Sequence, residues 1–168
     1  MVNLIIIRGP LGVGKTTISK KITTILKAKY FSMDNLIDGK NRIIKKKDKE
    51  GMIDVRNFLY ANTLIIPTAL KCLNKQQNVV VDGCFYHKEQ IVDLIKKIGK
   101  RKIYVFDLKA PLEVCIERDK QRKNSAGTGA AVAVHNAVSK FNYGIKINTI
   151  EKKSIETVHE IIKKISKN

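Results

Sequence analysis

The sequence has 168 residues, a length that predicts one domain across residues 1–168 with a substantial core. No apolar run approaches the ~20 residues of a membrane-spanning helix, so the composition argues against a membrane protein. The formal net charge of +18 favours anionic partners such as nucleotides, phosphorylated substrates or nucleic acid. Lysines are spread along the whole chain, so a compositional bias is the alternative explanation of this charge.

The three cysteines, Cys72, Cys84 and Cys115, lack the spacing of a metal site or a disulfide framework. Their odd number favours a reducing compartment. An apolar strand pattern begins at once, so we expect no cleaved leader and a cytoplasmic location. No obligate protein partner is indicated.

Apolar residues switch repeatedly between short continuous runs and helical spacing. The predicted strands are Asn3–Arg8, Tyr30–Met33, Val79–Asp82, Lys102–Leu108 and Tyr143–Ile147. The predicted helices are Lys15–Lys27, a turn at Leu36-Ile37, Asp54–Leu73 with a kink or break at Pro67, His87–Ile98, Pro111–Arg122, Ala130–Phe141 and Ser154–Ser166. This alternation predicts an α/β fold with a five-stranded parallel sheet, helices on both faces, and ligands at the C-terminal strand ends.

The segment between the first strand and the first helix fits the phosphate-binding pattern G-x-x-x-x-G-K-T, known as the P-loop. Its glycines let backbone N–H groups face a phosphate, and the following helix adds the partial positive charge of its N-terminus. Lys15 can reach the outer phosphates, and the Thr16 hydroxyl can bind Mg²⁺. We therefore predict that a nucleoside triphosphate and Mg²⁺ bind at Gly9, Pro10, Leu11, Gly12, Val13, Gly14, Lys15, Thr16 and Thr17.

Two aspartates follow predicted strands at the same edge of the sheet as the P-loop. Asp82 ends a Val-Val-Val run, where a carboxylate supports Mg²⁺ directly or through water. The alternative is a turn aspartate before Gly83. Asp34 lies nineteen positions after Lys15, where a carboxylate can orient an acceptor hydroxyl and take its proton. The alternative is a cap on a short helix.

Residues 118–130 are predicted to form a small lid. Arg118 and Arg122 lie four positions apart on one helical face, and a loop of small residues follows them. Fixed positive charge on a closing segment can stabilise a migrating phosphoryl group, whereas a solvated helix face is the alternative.

Two further features concern the acceptor side. The polar, lysine-rich residues 39–51 predict a mobile basic loop or a loosely held helix. Arg56 and Gly83 are weaker candidates for substrate binding. Cys84 lies next to the predicted cleft without a base partner, so we expect it to serve as a small apolar residue.

These motifs resemble the small P-loop kinases related to shikimate, gluconate and adenylylsulfate kinases, chloramphenicol phosphotransferase, zeta toxins and polynucleotide 5′-kinases. Residues 33–37 and 135–149 look most like chloramphenicol phosphotransferase, and residues 110–119 look more like adenylylsulfate kinase. The resemblance implies that Asp34 is the substrate-side base and that the adenine lies near Asn148 and Thr149.

The residues and the resemblance together predict an ATP-dependent kinase that phosphorylates a hydroxyl of a small molecule or nucleotide. Lys15, Asp34, Arg118 and Arg122 are the expected catalytic residues. A 5′-hydroxyl polynucleotide kinase acting on RNA or DNA is one alternative, which the +18 charge favours. A regulatory nucleotide-binding switch is the other, although a switch needs no carboxylate on an acceptor side.

Overall fold

The structure is a computed structural model that describes residues 2–37, 43–44, 46–150 and 152–167. The strands are β1 (Asn3–Arg8), β2 (Lys29–Ser32), β3 (Val79–Gly83), β4 (Lys102–Lys109) and β5 (Ile145–Asn148). The helices are α1 (Lys15–Leu26), α2 (Met33–Ile37), α3 (Val55–Asn74), α4 (Lys88–Ile98), α5 (Leu112–Lys120), α6 (Thr128–Ser139) and α7 (Ser154–Ser166). None of the helices in these ranges is long and apolar enough to cross a membrane.

The five strands form one parallel sheet in the order β2-β3-β1-β4-β5. The central strand β1 is buried on both faces, which explains its continuous apolar run. Leu4 and Ile6 pack with α3 and α4 on one face, whereas Ile5 and Ile7 pack with α1 and α7 on the other. The predicted α/β fold with helices on both faces is therefore confirmed.

Two local predictions differ from the structure. Met33 was expected to end the second strand, but it begins α2. Pro67 does not break α3, which runs as one helix of 20 residues. A proline costs one backbone hydrogen bond, and burial of the apolar face of α3 against the core offsets that cost.

The predicted mobile basic loop, residues 39–51, is only partly covered, since residues 39–42 and 45 lie outside the described residues. Its described end forms a tight turn. The Asp48 carboxylate accepts a hydrogen bond of 2.8 Å from the Met52 backbone N–H, and the Asp48 backbone N–H donates to the Met52 carbonyl at 2.9 Å.

Candidate active site

The P-loop joins β1 to α1 through three glycines with positive φ, 154° at Gly9, 75° at Gly12 and 103° at Gly14. A Cβ atom at Gly12 would lie 2.0 Å from the carbonyl oxygen of Cys115. Only glycine fits this close approach to α5. The contact therefore fixes the path of the loop, which leads directly into the N-terminus of α1.

A cavity of about 220 Å³ lies at this helix N-terminus, and we call it the donor cavity. The cavity lies between the P-loop and both arginines of the predicted lid. The lining residues are Gly12, Gly14, Lys15, Thr16, Thr17, Arg118 and Arg122. The N-terminus of α1 and the cationic side chains of Lys15, Arg118 and Arg122 make this cavity suitable for a polyphosphate.

Lys15 is buried between the donor cavity and Asp34. Its Nζ donates to the Pro10 carbonyl at 2.9 Å and lies 3.8 Å from Asp34 Oδ2. Burial by itself lowers the pKa of the Lys15 ammonium, but its interactions with Cys84, Asp34 and Asp82 raise that pKa overall. The side chain therefore stays cationic at neutral pH.

Asp34 is held in place by the residue that follows β3. Its Oδ1 accepts a 2.9 Å hydrogen bond from the Cys84 backbone N–H, and its Oδ2 accepts one of 3.4 Å from the Cys84 thiol. Burial raises the pKa of this thiol, so Cys84 is a neutral hydrogen-bond donor. Cys84 therefore orients the carboxylate, a role beyond the apolar packing expected from the sequence.

Asp82 lies at the C-terminal end of β3 and is 1% exposed. Its Oδ2 accepts a 2.9 Å hydrogen bond from the Tyr30 hydroxyl, whereas its Oδ1 has no partner among the described residues. Burial raises the pKa of Asp82. A buried carboxylate oxygen without a partner is costly, so this oxygen is a candidate to accept from a water bound to a cation.

The residues present fit a hydrated Mg²⁺. The described part of the chain contains no cluster of three or more acidic, histidine or cysteine ligands. Mg²⁺ needs no such cluster, because it keeps several waters and takes oxygens from phosphates and from one or two side chains. Thr16, in the donor cavity, and Asp82 are the candidates for those side chains.

A second cavity, of about 230 Å³, opens on the other side of Asp34, and we call it the acceptor cavity. It is lined by Leu11, Asp34, Ile37, Ile53, Phe58, Cys84, Tyr86, Ala126, Ala130 and Val134. Between Cys84 and Tyr86, the buried Phe85 adopts a φ of 47°, a strained conformation for an aromatic residue. The left-handed backbone conformation of Phe85 allows both Cys84 and Tyr86 to face the cavity.

The two arginines of the predicted lid are held differently. Arg118 donates from Nη2 to the Thr149 carbonyl at 3.0 Å and from Nη1 to its hydroxyl at 3.2 Å. The Arg122 side chain is 51% exposed and pairs with Asp119 at 3.3 Å. Arg118 is thus fixed at the cavity wall, whereas Arg122 lies at its rim.

Asp119 also organises the start of the loop of small residues. Its Oδ2 accepts hydrogen bonds of 2.8 Å from the Ser125 hydroxyl and 3.0 Å from the Ala126 backbone N–H. Asp119 is 1% exposed, which strengthens these charge-assisted bonds. The carboxylate therefore connects α5 to the segment that leads into the acceptor cavity.

A third cavity, of about 240 Å³, adjoins the donor cavity around Thr149. Thr17 and Arg118 line it together with Thr149 and Lys152. Thr149 is buried, and its backbone N–H donates to the Lys109 carbonyl at 3.0 Å. This is the region in which the sequence resemblance predicts the adenine.

The two weaker candidates on the acceptor side lie outside the cavity lining. The Arg56 side chain is 64% exposed and pairs with Asp54, which caps α3, at 2.8 Å. Gly83 is buried at the end of β3, where an added Cβ would lie 3.0 Å from the Met33 side chain. The structure does not bring Arg56 to the cleft. Gly83 does not line the cavity either, but the next residue, Cys84, does.

Sequence reasoning also missed a buried ion pair beneath the P-loop. Arg8, the residue before Gly9, is 0% exposed and binds Asp107 Oδ2 at 2.7 Å. It also donates to the Val138 carbonyl in α6 at 3.0 Å and stacks on the Phe141 ring at 4.3 Å. The sequence signal for this pair was that a charged residue directly follows each of two apolar strand runs, Arg8 in β1 and Asp107 in β4.

Comparison with known families matches residues 4–140 to the family described as AAA domain. Among solved structures, a gluconokinase from Sinorhizobium meliloti 1021 superposes with a TM-score of 0.73 at 14% identity, covering 98% of this chain and 92% of that one. An APS kinase from Mycobacterium tuberculosis, in complex with AMPPNP and APS, gives a TM-score of 0.72 at 14% identity, covering 98% of each chain.

A third similar structure is a tunicamycin resistance protein from Deinococcus radiodurans, with a TM-score of 0.69 at 16% identity and coverage of 98% and 96%. At these identities the likeness concerns the fold. The search of curated proteins returned no match. Because the family match spans most of the sequence, the chain belongs to this family of AAA domains, and it has the fold of the small P-loop kinases.

Proposed function

We propose that this protein is an ATP-dependent, Mg²⁺-requiring kinase that transfers the γ-phosphate to a hydroxyl group of a small molecule. The position of Asp34 carries the proposal. Its carboxylate lines the acceptor cavity and lies 3.8 Å from the Nζ of Lys15, which lines the donor cavity. A carboxylate between a phosphate-binding lysine and a separate cavity suits transfer to a second substrate.

In the proposed reaction, the acceptor oxygen forms a bond to the γ-phosphorus. The bond between that phosphorus and the β–γ bridging oxygen breaks, and ADP leaves with the electron pair. The hydroxyl proton passes to the Asp34 carboxylate. Lys15, Arg118 and Arg122 offset the negative charge of the transferring group. Thr16 and Asp82 would hold Mg²⁺, which neutralises phosphate charge when bound.

The residues that line the acceptor cavity favour a small acceptor over a polynucleotide. No lysine or arginine occurs among the described residues that line it. A site for a 5′-hydroxyl oligonucleotide needs cationic side chains that follow the phosphate backbone. The switch alternative gives no account of a cavity next to Asp34.

A phosphate-transfer screen with labelled ATP tests the proposal. The panel contains small alcohols, sugars, nucleosides and 5′-hydroxyl oligonucleotides, and we expect transfer to at least one small hydroxyl compound. Hydrolysis to water alone, with no labelled acceptor, would instead indicate a switch. Labelling of oligonucleotides alone, with a steep loss of activity in salt, would indicate a polynucleotide kinase.

Replacing Lys15 with methionine is expected to weaken ATP binding about 10²-fold, because a buried charge-assisted contact to phosphate is lost. Isothermal titration with a non-hydrolysable ATP analogue measures this change. Lys20→Met is the matched control, since Lys20 lies on the same helix and is exposed. Equal affinity of Lys15→Met and the wild type would contradict the assignment of the donor cavity.

A further inference from the structure

We infer that the acceptor is a compact, uncharged alcohol with a mainly apolar body, of the aromatic or branched alkyl type. The inference rests on the proposed kinase function and adds the chemical class of its acceptor. It distinguishes this class from sugars, nucleosides and nucleotides, which carry many polar groups around the reacting hydroxyl.

The wall of the acceptor cavity is apolar except at Asp34, Cys84 and Tyr86. Asp34 is the single charged side chain among the described lining residues. Seven other lining residues are aliphatic or phenylalanine: Leu11, Ile37, Ile53, Phe58, Ala126, Ala130 and Val134. A sugar in this cavity would lose the hydration of several hydroxyls without gaining partners, and each such loss is unfavourable.

The polar atoms of Asp34 and Cys84 in this wall already have protein partners. Asp34 Oδ1 accepts from the Cys84 backbone N–H. The Cys84 thiol donates only a long contact of 3.4 Å to Asp34 Oδ2. Asp34 Oδ2 is therefore the strong acceptor that a substrate hydroxyl can reach, which suits a compound with one reacting hydroxyl.

Aromatic rings give the cavity a stiff wall. The Phe58 and Tyr86 rings meet edge to face with centroids 4.9 Å apart, and the His87 ring lies 4.7 Å from that of Tyr86. Phe58 is 2% exposed, so packing fixes its ring. A rigid aromatic surface binds a flat ring or a branched alkyl group at little entropic cost.

The volume of the cavity agrees with one ring and a short substituent. The acceptor cavity measures about 230 Å³. For comparison, an engineered apolar cavity of about 150 Å³ in another protein stays dry and binds benzene. The remaining space accommodates the hydroxymethyl or hydroxyethyl arm that would carry the reacting oxygen to Asp34.

The first test compares acceptors under identical conditions with labelled ATP. The apolar probes are 2-phenylethanol and cyclohexylmethanol, and the polar probes are glucose, gluconate and adenosine. We expect kcat/KM for the better apolar probe to exceed that of every polar probe by about tenfold or more. A higher kcat/KM for a polar probe would overturn the inference while the kinase function stands. Failure of every probe in this panel and of every acceptor in the wider screen would overturn both.

The second test alters the wall without touching the P-loop. Val134→Lys places a charge in the cavity and is expected to raise KM for the apolar alcohol about tenfold or more, with ATP affinity unchanged. Val132→Lys is the matched control, because Val132 is also half-buried on α6 but does not line the cavity. An unchanged KM in Val134→Lys would overturn the inference.

A thermal melt checks that Val134→Lys folds. If it does not, Ala130→Asp provides the same test, because Ala130 is exposed in the first turn of α6 and lines the cavity. An acidic residue is favourable at a helix N-terminus, so this variant retains the helix. We expect it to raise KM for the apolar alcohol, and an unchanged KM would count against the inference.

Discussion

Replacing Asp34 with asparagine is expected to lower the rate of phosphate transfer about 10³-fold, because the variant has no group that can take the acceptor proton. The affinity for ATP should remain close to that of the wild type. Asparagine keeps an oxygen that can accept the 2.9 Å hydrogen bond from the Cys84 backbone N–H, so the position of the side chain is preserved. Single-turnover transfer and calorimetric titration of an ATP analogue measure the two quantities separately.

Asp54→Asn is the matched control for this experiment. Asp54 caps α3, and asparagine is an equally good N-cap, so neither folding nor transfer should change. Transfer at the wild-type rate in Asp34→Asn would remove Asp34 as the base. A large loss of ATP affinity in that variant would instead place the role of Asp34 in the donor cavity.

Replacing Arg8 with methionine is expected to lower the free energy of unfolding by about 3 kcal/mol. The change leaves Asp107, which is 0% exposed, without its 2.7 Å partner. Lys109 still lies 3.0 Å from the same oxygen, so the loss should fall at the lower end of the range for broken buried pairs. Urea denaturation followed by circular dichroism measures the effect.

Two further variants test whether the stability loss in Arg8→Met comes from the burial of the ion pair or only from the loss of a positive charge. Lys97→Met breaks an ion pair with Asp93 in which the lysine is 40% exposed, and it should cost under about 1 kcal/mol. Adding Asp107→Leu to Arg8→Met removes the stranded carboxylate and should recover part of the lost stability. Equal stability of Arg8→Met and Lys97→Met would show that the buried pair has no special importance.

The fold could be predicted because its signals are local. A strand buried on both faces reads as an apolar run, and the strand–helix alternation then specifies a parallel sheet. The closing helix Ser154–Ser166 matches its prediction at both ends, since its apolar spacing is regular. The break considered at Pro67 does not occur, because burial of α3, a tertiary effect, outweighs the local preference of proline.

The donor side of the candidate site was predictable for a similar reason, since most of its lining comes from consecutive residues of the P-loop. The acceptor side was not, because its wall combines side chains from separate elements such as Phe58 and Val134. By pattern these residues look like ordinary core positions. Arg56 was selected for its charge alone, and the neighbouring cap Asp54 holds it outside the cleft.

The separation of the two cavities has an evolutionary consequence. Ala126, Ala130 and Val134 line the acceptor cavity from an exposed or half-buried part of the chain. Substitutions at such positions usually change stability little. Under the proposed function, substitutions at these three positions can therefore change the acceptor without altering the P-loop or Asp34.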